Sequence, residues 1–235
     1  MVHRNPKSEI RNPKSEIRNP FVSRLEFGRQ SPPSSWSLRE VLDMSVLIIG
    51  LVVFLGAHSV RIVAEDWRRA QIARLGEKGW KSAYSVVSLI GFVLLVWGYG
   101  LARHNPVVLW TPPPWAPHLA APLTALAFIL FPAAHVPETH FKSLLKHPMV
   151  TGVMLWAIAH LAANGTLNAL VLFGAFLVWS VVDLIAALRR DAAANVVYPP
   201  GRFSKDLICV VAGLVAWAIF ALWLHGVLIG VRPFG

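Results

Sequence analysis

The sequence predicts an all-α fold, a polytopic transmembrane bundle of about six helices. Hydrophobic residues fill 55% of its 235 positions and ten positions are Trp, a balance that suits a bilayer better than a soluble core. Six apolar runs follow one another at 44–64, 83–101, 119–136, 148–163, 167–188 and 207–230. None alternates with period two, and a backbone in lipid must satisfy its hydrogen bonds internally, so each run is read as a helix.

At about 1.5 Å per residue most runs reach roughly 27 Å or more, enough to span the hydrocarbon layer, while 148–163 reaches only about 24 Å. The unit RNPKSEI occupies 4–10 and 11–17 and breaks off after RNP at 18–20. With one Ile and one Pro per unit it forms no coiled-coil seam, and it is expected to be disordered. No apolar signal region precedes Met44, so residues 1–43 are read as a non-native extension without function and 44–235 as the transmembrane domain.

Between the first two runs lie Arg68, Arg69, Arg74, Lys78 and Lys81. The third connection carries Lys142 and Lys146, and the fifth Arg189, Arg190, Arg202 and Lys205; the other side holds only Arg103 and Arg232. The positive-inside rule then puts these three connections in the cytoplasm and both termini in the periplasm. The same distribution explains the formal charge of +10 as a topology signal and argues against nucleic acid. Trp67 and Trp80 flank the first connection, Trp110 and Trp115 the second, and TPPPWAP at 111–117 is expected as a stiff turn.

Ionisable residues inside a span call for a ligand or a pairing partner. His58 and Arg61 share a face of the first helix, and Asp183 of the fifth lies at a similar depth. Either Arg61 pairs with Asp183, or it anchors an anionic group of a ligand. His147 precedes Pro148 at the entrance of the fourth helix, and Gly152, Trp156 and His160 follow along one face, Gly152 leaving a flat patch for a planar ligand or another helix.

Two histidines from separate helices can hold a haem iron between them, although a membrane histidine is more often a hydrogen-bonded packing residue. With a single cysteine, Cys209, neither a disulfide nor a covalent haem attachment is possible. His147 and His160 are about 20 Å apart along one helix and cannot share an iron, whereas His58, roughly 10 Å in from the boundary, can pair with either. His135 is expected near the cytoplasmic side and His225 near the outer surface. His3, His104, His118 and His140 are read as solvated.

FLGAHSVRI at 54–62, GWKSAYSVVSLIGFVLLVWGYG at 79–100, VVLWTPP at 107–113, LKHPMVTGVMLWAIAHLAANG at 145–165 and LHGVLIGVRP at 224–233 together closely resemble the NnrU family. That resemblance, from Met44 to the C-terminus, implies a bacterial inner-membrane protein associated with nitrogen-oxide metabolism and denitrification, in contact with lipid and with other membrane proteins of nitrogen-oxide respiration. NnrU proteins are in turn similar to 15-cis-zeta-carotene isomerase, a membrane enzyme with non-covalent haem b. The latter resemblance implies His58 and His147 as the metal ligands, with His160 matching a third position. Arg61 and Lys146, each beside an implied ligand, are candidate propionate contacts.

One departure is that SLLKHP offers no thiol before the HP motif, where the isomerase pattern has a Cys. The implied role is a haem-binding accessory, redox or sensor protein; a haem-dependent isomerase of a polyene lipid is the alternative, and whether there is catalysis is left open. KHPMVTGVMLW is also similar to the motif of membrane methyltransferases that use S-adenosylmethionine. Their downstream acidic pair is represented only by Asp191, which makes that third alternative the weaker one.

Overall fold

The computed structural model describes residues 38–234. The repeat at 4–20 and the rest of 1–37 lie outside the described residues. Seven helices follow: α1 (Leu38–Val63), α2 (Glu65–Ala102), α3 (Ala116–His135), α4 (His140–Leu145), α5 (Pro148–Ala163), α6 (Leu167–Ala193) and α7 (Phe203–Ile229), the last containing a π-helical turn, Phe220–Leu224. α1, α2, α3, α6 and α7 are long and apolar enough to cross a membrane, and α5 is a shorter apolar helix. The chain is a multi-pass membrane protein, as the composition predicts. Only 17–22% of each long span's most apolar window is buried within the protein, so most of that surface is left for acyl chains to cover.

Two boundaries differ from expectation. α1 begins at Leu38, so residues 38–43 continue the first span as helix rather than belonging to a disordered extension. The first connection is also helical: α2 starts at Glu65 and bends at Gly76, whose φ of 71° suits a residue without Cβ. In a straight helix Trp67 and Trp80 would stand about 20 Å apart. The bend brings their ring centroids to 5.8 Å.

Packing runs α2, α1, α6, α5, α3, α7, each helix against the next. Glycines let the first pair approach closely: a Cβ on Gly50 would lie 2.6 Å from Leu95 N, one on Gly91 2.7 Å from Phe54 N, and one on Gly98 would overlap the Leu47 backbone. This is the small-residue packing that lets apolar helices associate without a hydrophobic driving force. Gly213 of α7 meets Ile129 of α3 in the same way. The central contact buries Leu47, Leu51, Leu95, Leu172 and Phe173.

The turn at 111–117 is non-helical up to Trp115, as its prolines demand. The strand-like residues before it dock on the α5–α6 hairpin, where Leu109 N donates to Gly165 O at 2.8 Å and Leu167 N to Val107 O at 2.9 Å. Helices alternate in direction, so the basic stretches gather at one end of the bundle. Arg103, the α5–α6 hairpin and Arg232 lie at the other.

Candidate functional site

His58 sits on α1 where α2 and α6 approach. Its Nδ1 is 2.7 Å from the Phe54 carbonyl. A carbonyl only accepts, so Nδ1 carries the proton and Nε2 keeps a bare lone pair, the form of imidazole that binds a metal. The ring stacks on Phe54 at 4.2 Å and is flanked by Tyr84 of α2 at 5.3 Å and by the edge of Trp179 of α6 at 6.1 Å. Trp179 Nε1 is buried without a hydrogen-bond partner among the described residues. Buried donors of this kind are normally satisfied. Beside it an open apolar cleft of about 460 Å³ separates Ser59 and Ile62 of α1 from Gly174, Val178 and Trp179 of α6.

Arg61 is exposed, one turn from His58. The Arg61–Asp183 ion pair does not form; Asp183 instead faces Arg190 of its own helix at 3.8 Å, a loose contact two turns away. Gly152 does form a flat patch, but the surface it meets is α3, a Cβ there lying 3.1 Å from Ala127 O.

His147 caps α5, with its Nε2 2.7 Å from Asp191 Oδ2. Tyr198 OH donates to the same oxygen at 2.5 Å. The cluster ties α5 to the end of α6 and to the following connection. Burial and, after it, the neighbouring Asp191 carboxylate push the Tyr198 phenol up to about 12. Lys146, adjacent, is exposed and holds a φ of 61°, rare without glycine.

His160, in the last turn of α5, repeats the arrangement of His58. Its Nδ1 lies 2.8 Å from the Trp156 carbonyl, and its ring stacks on Phe173 at 4.5 Å. Trp156 meets Phe176 at 5.3 Å, and Phe176 meets Phe54 at 5.8 Å, so aromatic rings run from His58 to His160 across α6.

His140, read from sequence as solvated, is instead held by Asp206 of α7, which accepts from its backbone N–H at 2.8 Å and pairs with its ring at 2.5 Å. The signal available in the sequence was a lone acid, Asp206, between a basic connection and the last apolar run. Among the described residues no group of three or more His, Cys, Asp or Glu could hold a metal ion, so a metal on any of these histidines needs further donors.

Residues 46–233 match the NnrU protein family. The chain belongs to the NnrU family. No curated protein and no solved structure matches it.

The match takes in every histidine just described, from α1 to the end of α7. Within this NnrU chain His58 lies against Trp179 and His147 against Asp191, residues twelve positions and about 18 Å apart along α6. Two imidazoles on one iron bring their ligating nitrogens to on the order of 4 Å, two metal–nitrogen bonds of about 2 Å each. His58 and His147 are thus anchored at different levels of α6, and the Nε2 of His147 is engaged by Asp191. Arg61 stays near His58, and Lys146 stays with His147.

Proposed function

We propose that this NnrU protein is a haem-b-binding membrane protein that serves nitrogen-oxide metabolism as an accessory, redox or sensor component, with His58 as its axial ligand. The observation that carries this is the His58 imidazole, pinned through Nδ1–H to the Phe54 carbonyl, with Nε2 bare among aromatic rings. Such a second hydrogen bond fixes the tautomer and orientation that metal-ligating histidines need. Bound haem would supply reversible one-electron chemistry and an iron able to take a diatomic gas.

The remaining work falls to this chain's own side chains. The α1–α6 cleft has apolar walls, and Trp179 Nε1 offers a hydrogen bond that no group among the described residues takes up. Arg61, exposed at the next turn, is the cation available to a propionate. The link to nitrogen oxides, and to membrane proteins of their respiration as partners, rests on the family.

The cleft also supports a second reading, isomerisation of a polyene lipid, because it is apolar, open and lined by Trp179, whose edge flanks the His58 ring. A methyltransferase is disfavoured by Asp191, the only acid in the relevant stretch, whose carboxylate is occupied by His147 and Tyr198.

Protein purified in detergent from haem-replete cells should show a reducible b-type spectrum, and His58→Ala should lose one haem equivalent per chain. A colourless protein, or an unchanged haem content in His58→Ala, contradicts the assignment. Turnover of a carotenoid in membranes by the same preparation would favour the isomerase.

A further inference from the structure

The first connection is a helix held at the edge of the membrane. Ala64 interrupts the helical backbone after α1, and Gly76, at a φ of 71°, does so again inside α2, leaving 65–75 as a separate helix between two spans. The edge-to-face contact of Trp67 with Trp80, 5.8 Å between centroids, sets how that helix folds back on the span that follows. Trp67 is four residues past the end of α1, and Lys78 is five before the apolar run that starts at 83. Each is thus within about 8 Å of a span along the chain. The headgroup layer on one side of a bilayer is about 5–7 Å deep, so the helix is tethered at lipid depth.

Its outer face is mixed in character. Trp67 and Leu75 are 53% and 54% exposed, and Val63, where α1 ends, is 81% exposed. Trp67, Ala70 and Arg74, spaced i, i+3, i+7, share one exposed side of the helix. Glu65, Arg68 and Ile72, on the far side, are partly buried.

Charge is distributed unevenly along the same segment. Arg68 pairs with Glu65 at 3.0 Å, Arg69 with Asp66 at 2.8 Å and Lys81 with Glu77 at 3.1 Å, so each acid of 64–81 is taken by a cation of that stretch. Arg74 and Lys78, two residues to either side of Gly76, are exposed, and among the described residues neither has a carboxylate within ion-pair distance. Uncompensated cations beside an exposed indole and an exposed leucine match a surface that is negative outside and apolar beneath, which is that of an anionic phospholipid. An acidic protein would answer the cations too, but the two flanking spans already hold this helix where phospholipid is the solvent.

We propose that 65–78 is a docking surface for anionic phospholipid, with Arg74 and Lys78 taking the lipid phosphates and Trp67 and Leu75 entering the acyl boundary. This surface does not depend on haem at His58.

The test is native mass spectrometry of the purified full chain in detergent, offered equal amounts of phosphatidylglycerol and phosphatidylcholine. Phosphatidylglycerol should be retained in preference. A cation near an anionic surface shifts such a preference by about fivefold, so Arg74→Gln and Lys78→Gln should each lower it by that factor, and the double variant by about twenty-fivefold. Arg189→Gln, which removes an exposed cation of the same end of the bundle outside this helix, should leave it unchanged. In reconstituted vesicles, brominated phosphatidylglycerol should quench Trp67, read as the difference from Trp67→Phe, more than brominated phosphatidylcholine does.

Equal retention of the two lipids overturns the proposal and leaves the face to a protein partner. A preference that Arg189→Gln lowers as much as Arg74→Gln overturns it as well, since the preference then belongs to the whole basic end. So does displacement of phosphatidylglycerol by inorganic phosphate, which would mark a site for a free anion.

Discussion

His147 Nε2 lies 2.7 Å from Asp191 Oδ2, and that carboxylate oxygen also accepts the Tyr198 hydroxyl. One anion thus joins the start of α5, the end of α6 and the connection to α7. Its consequence is mechanical, because a single carboxylate oxygen holds three segments in register.

Tyr198→Phe removes a hydrogen bond to a charged group that is partly exposed, and should destabilise the protein by about 1 kcal/mol. The phenol is held near 12 in the folded chain against 10 for a free tyrosine. A raised acid contributes stability that is complete below pH 10 and lost as pH rises toward 12. Thermal unfolding in detergent between pH 8 and 12 should show Tm falling across that window in the parent and falling less in Tyr198→Phe; parallel curves would contradict the contact.

Gly91→Ala and Gly98→Ala should each prise α1 from α2, since the added methyl meets backbone rather than a movable side chain. Losses on the order of 1–3 kcal/mol are expected from such overpacking. Gly56→Ala on α1 and Gly174→Ala on α6 face open space and should change Tm little. Melting curves of the four variants check the contrast, and equal effects would contradict the seam.

Gly76→Ala places a Cβ at a φ of 71° and should cost about 1 kcal/mol. Because the bend brings Trp67 to Trp80, the same variant should shift the tryptophan emission of a protein in which that pair contributes. An unchanged spectrum and Tm would mean that the bend is set elsewhere.

The spans were legible in the sequence because hydropathy and length are local quantities; 148–163 was bounded to the residue by Pro148 and the polar Asn164. Neighbour relations were not legible. The six spans are dominated by apolar residues, so their sequence alone does not announce that α1 packs on α6 or that α3 lies between α5 and α7. Charge partners were missed for the same reason: Asp191 finds His147 from 44 positions away, and Asp206 finds His140 from 66. Depth alone makes an Arg61–Asp183 pair one of two readings, and the fold instead gives Asp183 a partner on its own helix. His58 was found because an ionisable residue in an apolar run is visible without tertiary information. The Nδ1 bond to its own helix that sets its chemistry is visible only in three dimensions.

Haem content per chain in the parent, His58→Ala and His147→Ala proteins, purified side by side from haem-replete cells, bears most directly on His58 as an iron ligand. One equivalent should be missing from His58→Ala and none from His147→Ala. Haem retained in full by His58→Ala, or absent from the parent, would contradict it.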